Sequence, residues 1–460
     1  MPSAANRPSG NQSHLRWTAI LPFSHPAPML AVIALAHAPA LKAGFVYDDR
    51  NDIVLNASAH AETFFERLPV MVRPLLKASY ALQDALGGMD AAAFHAVNLG
   101  LHLATTFLLL MLLRRALALT GVDRAVATVA VLLWALHPAL TETVSYASGR
   151  SMGLSTLLLI TALLAATGPT PRPILAGLCA LLAPLARETA LVAPLLLLAW
   201  QITITRGDAP RRAFLRAAPV WIGTLLAALI IATMARHRDL VAFSLDQRGP
   251  IDSLRANLFA IPEILRLWIA PWELSILPAQ PVIYGWTDGP TLLRLACLIA
   301  LPAVALTLRR RAPVEALAIL WTLLVLIPTN TILWRVDPVA IRPLYLAGIG
   351  LSLLISLALA RLPFGLWLAV ALAAPLGAMT FTRAMLYRDE VALFADAAQK
   401  TPLEPRAYRM LGLALANAGR VAEAREALDK ALRLDPFDTE ARNAIGLLDI
   451  SGAIYSIPAP

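Results

Sequence analysis

The sequence predicts an all-α fold: a polytopic membrane bundle of about eleven spans followed by a short soluble helical domain. Three observations carry this expectation. Of 460 residues, 58% are hydrophobic and only 15% charged, where soluble globular chains carry roughly a quarter; mean hydropathy is +0.65. Apolar runs of the roughly 17 to 25 residues that a bilayer crossing needs recur from about residue 20 to about 385. Past residue 386 the composition turns soluble and helix-favouring.

The runs lie at 20–41, 95–113, 124–140, 151–168, 172–186, 189–205, 213–235, 290–308, 313–329, 342–361 and 364–383. Several are short, and Pro28, Pro39, Pro184 and Pro194 bend or end helices. Residues 1–19 read as a cytoplasmic tail and 20–385 as the membrane domain, with a long external first loop at 42–94. Residues 386–450 read as the repeat domain and 451–460 as a tail. The first run lacks a small-residue cleavage site, so it reads as a signal anchor, not a cleaved signal peptide.

Orientation follows from the basic residues of alternate loops. With Arg7 and Arg16 inside, so are Arg114, Arg115, Arg124, Arg172, Arg206, Arg211, Arg212, Arg216, Arg309, Arg310, Arg311 and Arg361. The alternation requires that "NLFAIPEILRLWIAP", 257–271, does not cross. Glu263 and Arg266 at i,i+3 and the interrupting Pro262 fit an amphipathic helix in the outer interface; the alternative is twelve spans and a cytoplasmic C-terminus. The net charge of +9 sits in short loops without a contiguous basic face, which excludes a nucleic-acid partner. Cys179 and Cys297 lie inside apolar runs and predict no structural disulfide. Arginine-rich, lysine-poor usage and a short repeat array favour a bacterial inner membrane, with the repeat domain in the periplasm.

"AYRMLGLALANAGRVAEAREALDKALRLDP", 407–436, matches the tetratricopeptide pattern, with Tyr408, Leu411, Gly412, Gly419, Ala424, Leu428, Ala431 and Pro436 at its large, small and turn positions. "DEVALFADAAQKTPLEP" reads as a preceding helix and "DTEARNAIGLLDI" as a following one. So few repeats bury little surface alone, so the tail is expected to pack on the membrane domain or on a protein partner.

Polar residues collect at the external helix ends: Asp48 and Asp49 after span one, Arg73 and Lys77 in the first loop, and His95, Asn98 and His102 at the start of span two. His137, Glu142, Tyr146 and Arg150 follow span three, Arg187–Glu188 form a tight outer turn, and Asn330, Arg335 and Arg342 flank the late spans. Ionisable groups at a membrane are functional hypotheses by default, and together these point to a polar cavity opening outward. Plainer roles stand beside them: helix-end hydrogen bonds for His95 and His102, a turn ion pair for Arg187–Glu188, a stop signal for Arg342 and a solvated loop for Asp48–Asp49. A transporter, with ionisable groups near the midplane, is not the pattern seen.

In order along the chain, "FVYDDRNDIVLN", "RPLLKASYAL", "FHAVNLGLHL", "LHPALTETVSYASGRSMGL", "RETALVAPLLLL" and "RPLYLAGIG", followed by the repeat, resemble the transmembrane and tetratricopeptide-repeat-containing protein O-mannosyltransferases and their bacterial relatives. These are glycosyltransferases of the GT-C superfamily. The resemblance implies a GT-C-like bundle that moves a sugar from a polyprenyl-phosphate carrier to a protein, lipid or glycan hydroxyl on the external face. It also places Asp48–Asp49 where the superfamily carries an acidic catalytic motif. Three departures are visible: Arg187 stands where relatives usually have lysine, Ile341 stands where they have glutamate before the arginine, so an ion pair expected there is missing, and the repeat array is far shorter than in the animal proteins, which leaves the acceptor open.

The expected roles are Asp48 as general base with inversion, and Asp49 orienting it, both alternatively serving as oxygen ligands of a divalent ion. Arg73, His95, Asn98, His137, Glu142, Arg150, Arg187, Glu188, Arg342 and Tyr345 are the candidate substrate-binding set, the arginines matching phosphate oxygens bidentately. Two other readings stay open: an O-antigen-type glycan ligase or polymerase, and a non-catalytic membrane scaffold that uses its repeat domain.

Overall fold

The computed structural model describes residues 25–205, 207, 209–330 and 332–451, and among them all regular structure is helical. The predicted N-terminal tail, the first residues of span one, Arg206, Asp208 and residues 452–460 lie outside the described residues. Helices of eleven or more residues are α1 Pro26–His37, α2 Pro74–Gly87, α3 Ala91–Thr120, α4 Ala125–Ala135, α5 Arg150–Thr167 and α6 Pro173–Ala186. Then come α7 Ala193–Thr203, α8 Pro210–Thr233, α9 Ala235–Gln247, α10 Pro250–Ile269, α11 Gly289–Leu308, α12 Pro313–Leu326, α13 Leu344–Leu359 and α14 Gly365–Leu386. The tail supplies α15 Glu390–Lys400, α16 Pro405–Asn417, α17 Val421–Leu434 and α18 Thr439–Ser451.

Each predicted run holds an apolar helix. Five helices are long and apolar enough to cross a membrane, six if α4 and the short helix after it, bent by 56°, make one broken span. The count of eleven is therefore not confirmed, since it also needs five shorter apolar helices. The 56° bend falls at Pro138, which opens a new turn; the preceding His137 caps that turn by accepting the Ala139 N–H at 3.2 Å through Nδ1. The amphipathic α10 buries Ala256, Phe259, Ile264, Leu267 and Trp268 and keeps Glu263 and Arg266 as a 2.7 Å ion pair. It is not among the helices apolar enough to cross.

In the tail, α16 and α17 pack as an antiparallel pair. A Cβ on Gly412 would sit 2.6 Å from Leu428 Cγ, so only glycine allows this approach. The tail is not a free appendage. Leu393, Phe394 and Ala397 of α15 share one apolar cluster with Ala43 and Val46 of the loop after α1 and with Tyr146, so the tail packs on the apolar bundle.

Candidate active site

The loop after α1 begins with a short 3₁₀ turn and reaches Tyr47, whose φ of 51° is in the left-handed region. The next residue is Asp48. Asp49 points the other way, into the protein: its Oδ2 accepts the N–H groups of Val46 and Ala147 at 3.2 and 3.4 Å, and its Oδ1 that of Ser148 at 2.7 Å. Burial pushes the Asp49 carboxyl up to about 7, against the pull of the Ser148, Val46 and Ala147 donors. This carboxylate staples the loop to the turn at 145–150. Gly149 makes the turn possible, since a Cβ there would meet the Glu142 and Thr143 carbonyl oxygens at 2.6 Å. Tyr146 completes the joint by accepting the Asp48 N–H at its hydroxyl, 2.9 Å away.

Asp48, Glu142, Arg187 and Arg342 line one cavity of about 350 Å³, together with Tyr47, Arg335, Asp337 and Arg406. Four guanidinium groups thus face three carboxylates. Arg342 is the hub: its Nε lies 3.1 Å from Glu142 Oε1, its Nη2 3.9 Å from Asp48 Oδ2, and its guanidinium 5.0 Å above the Tyr146 ring. Burial works against the charge on Arg342, yet Glu142, Tyr146, Asp48 and Asp49 leave its pKa above the ordinary guanidinium value. The Asp48 carboxyl is raised, chiefly by burial, with Arg342 opposing and Asp52 adding. Ile341, where a glutamate was expected, is a buried apolar wall residue; Glu142 supplies Arg342 with the carboxylate instead.

Arg187 differs. It is buried, its Nη1 donates to Ser151 Oγ at 3.0 Å, its Nε–H has no partner, and it makes no ion pair among the described residues. The Arg335 guanidinium donates to the Thr329 carbonyl at 3.4 Å and makes no ion pair among the described residues, Asp337 and Glu142 acting on it only through space. Two cations in the wall are therefore unmatched. That is the electrostatic signature of an anion subsite.

The remaining predicted residues do not reach the cavity. Glu188 pairs with Arg73 (Nη2–Oε2 3.0 Å) and with His237 at 3.1 Å, so it ties the first loop to the end of α6, not to its neighbour Arg187. Arg150, Asn98 and His95 form a packed layer beneath the loop. Arg150 donates to Asn98 Oδ1 (3.1 Å), Gln83 Oε1 (2.6 Å) and the Ser79 carbonyl (3.2 Å), and stacks on Tyr80 and Phe94. Asn98 donates to the Tyr146 carbonyl at 3.0 Å, and His95 Nε2 lies 3.2 Å from Gly44 O. His137 stacks face to face on Trp268 at 3.7 Å. Tyr345 is buried in the bundle, its hydroxyl 2.9 Å from His102 Nδ1. His95, Asn98, His137, Arg150 and Tyr345 thus do not line this cavity; their side chains meet neighbouring elements instead.

Sequence reasoning missed Tyr47, Asp337 and Arg406 as cavity residues. Arg406 belongs to the repeat domain; its Nη1 donates to both oxygens of Asp337, at 2.7 and 2.8 Å, and so joins positions 69 residues apart. No local pattern announces it.

Among the described residues no cluster of three or more His, Cys, Asp or Glu is placed to hold a metal ion. Asp49 spends both oxygens on backbone N–H groups, so the Asp48–Asp49 pair does not fit a divalent ion.

Residues 405–438 match the tetratricopeptide repeat model. Over 199 residues the chain is 29% identical to "Protein O-mannosyl-transferase Tmtc1" of Drosophila melanogaster, covering 34% of this chain and 23% of the relative. Over 154 residues it is 28% identical to "Protein O-mannosyl-transferase TMTC3" of Mus musculus, covering 30% of this chain and 16% of the relative. The chain is homologous to these proteins. It spans less than a quarter of the length of each. No solved structure matches it. Its long apolar helices and this homology make it an integral membrane protein.

Proposed function

We propose that this chain is a membrane glycosyltransferase that moves a sugar from a polyprenyl-phosphate carrier to an acceptor hydroxyl at the external, periplasmic face of a bacterial inner membrane. The observation that carries the reading is the shared cavity: a carboxylate from the loop after α1 faces guanidinium groups brought from α6 and from the loop before α13. The names of the relatives add O-mannosyl transfer to a protein as the favoured chemistry.

In this reading Asp48 takes the proton of the acceptor hydroxyl as the oxygen attacks the anomeric carbon. The sugar–phosphate bond breaks on the opposite face, giving inversion, and the carrier phosphate leaves with the bonding electron pair. Arg187, with no acid of its own, and Arg335 take up the phosphate charge; such preorganised donors act where charge develops. Arg342 has a different task. Held between Glu142 and Asp48, it keeps the base ionised despite burial. Convergence of Asp48 with unmatched arginines is not something a scaffold requires.

The deciding experiment is Asp48→Asn in the full-length protein, assayed with a polyprenyl-phosphate mannose donor and by mass spectrometry of envelope glycoproteins and glycans from a rescued deletion strain. Removing a general base lowers rate by about 10²–10⁴-fold, and that loss is expected. Parental turnover by Asp48→Asn sinks the assignment. Because the Asp48 carboxyl is raised above its ordinary range and acts unprotonated, the rate should fall on the acid side at a pH above that range.

A further inference from the structure

Tyr47, directly before Asp48, has φ of 51°, a conformation that is a genuine outlier for a bulky side chain and persists only where its surroundings impose it. What imposes it comes from the repeat domain. The Tyr47 N–H donates to Glu390 Oε1 at 2.9 Å, and Arg50, on the far side of the acidic pair, donates to Glu390 Oε2 at 3.0 Å. The Tyr47 ring meets the Phe394 ring edge-on at 5.5 Å. Arg406 Nη2 donates to the Tyr47 hydroxyl at 2.7 Å, while its Nη1 grips both oxygens of Asp337 on the opposite wall. Backbone, ring and hydroxyl of this one residue are thus held by α15 and α16, and Arg406 spans the cavity rim.

We propose that the repeat domain is a working part of the site, not only a surface for partners: α15 and α16 hold the Asp48 loop bent, and Arg406 is the positioning residue that acts through Tyr47. This rests on the glycosyltransferase reading for its consequence in catalysis, but not for the docking itself.

The charges facing Asp48 are Arg342 and Glu142 across the cavity, Asp52 in its own loop, the Tyr146 hydroxyl beside it, and Arg406 from the repeat domain. Removing Arg406 withdraws one cation from this set, so Asp48 should hold its proton to higher pH.

The test uses full-length protein in detergent, comparing Arg406→Ala, Arg406→Lys, Glu390→Ala and Tyr47→Phe. Arg420→Ala, on the exposed face of the repeat, is the control. Amide hydrogen exchange over 44–56 should quicken about tenfold in Arg406→Ala and Glu390→Ala, as expected when such strain is released by local opening. It should stay at the wild-type rate in Arg420→Ala and over α5. In the transfer assay kcat should fall more than donor KM rises, and the acid limb should move to higher pH, Arg406→Lys recovering part of both. Tyr47→Phe, which removes only the hydroxyl contact, carries the test if the arginine variants do not fold. Unchanged exchange over 44–56 in Tyr47→Phe and in every folded variant overturns the proposal. So does faster exchange with an unmoved acid limb and kcat. If wild type transfers no sugar, the proposed function fails by itself, and the exchange result alone decides whether the repeat domain holds the loop.

Discussion

Two layers of polar residues lie next to one another around the loop that carries Asp48. The upper layer, Asp48, Glu142 and Asp337 with Arg187, Arg335, Arg342 and Arg406, faces a cavity and sets four guanidinium groups against three carboxylates. The lower layer, His95, Asn98 and Arg150, is just as polar but closed: every guanidinium nitrogen of Arg150 meets a carbonyl or amide oxygen, and aromatic rings cover its faces. A buried charge that is fully partnered builds a platform, whereas one left short of partners at a cavity wall awaits a ligand. The lesson is that polarity alone does not separate function from support. Satisfaction of hydrogen bonds does.

Arg150→Ala should show the largest effect and should break the fold, not the chemistry. It leaves Asn98 Oδ1 and Gln83 Oε1 without their donor and empties a volume between Tyr80 and Phe94. Leaving a buried acceptor unsatisfied costs about 1–3 kcal/mol, and the emptied volume adds a cavity cost to it. Thermal unfolding in detergent should report that loss, with donor KM unchanged in the fraction that remains folded. A kinetic defect without a stability defect would put Arg150 in the cavity layer.

Arg187→Ala should do the reverse. Among the described residues its guanidinium bonds only Ser151 Oγ, so the fold should lose little, while the proposed anion subsite loses a guanidinium. A hydrogen bond to a charged group contributes about 1.5–3 kcal/mol, so donor kcat/KM should fall roughly 10- to 100-fold at an unchanged unfolding temperature. Arg187→Lys keeps the charge but not the fork, and should fall between.

Much of the fold was legible because each apolar run is long relative to a helical turn: an error of a few residues in its ends still names the helix. The amphipathic α10 and the antiparallel repeat pair were readable too, since Glu263–Arg266 and Gly412–Leu428 are encoded by local spacing. Azimuth is another matter. His95, Asn98 and His102 do share one face of α3, as their spacing says, but nothing local says whether that face meets a cavity or another helix. The polar helix α9, Ala235–Gln247, lacks an apolar stripe and so left no signal. Nor does spacing reveal that Arg73 and Glu188, 115 residues apart, are partners, or that Arg406 closes the cavity from the repeat domain.

Tyr345→Phe should give the smallest change and is the sharpest check on the two-layer picture. Tyr345 follows Arg342 by one helical turn, so sequence placed it with the donor site, yet its hydroxyl points to His102 inside the bundle and its carbonyl accepts the Trp134 indole N–H at 2.8 Å. Phenylalanine keeps the ring, the backbone bond and the packing, and deletes one hydrogen bond of a neutral pair. That costs about 1 kcal/mol, visible as a slightly lower unfolding temperature. Donor KM and kcat should stay at their wild-type values. A raised donor KM in Tyr345→Phe would mean that the bundle layer communicates with the phosphate subsite through α13, since no atom of Tyr345 lines the cavity.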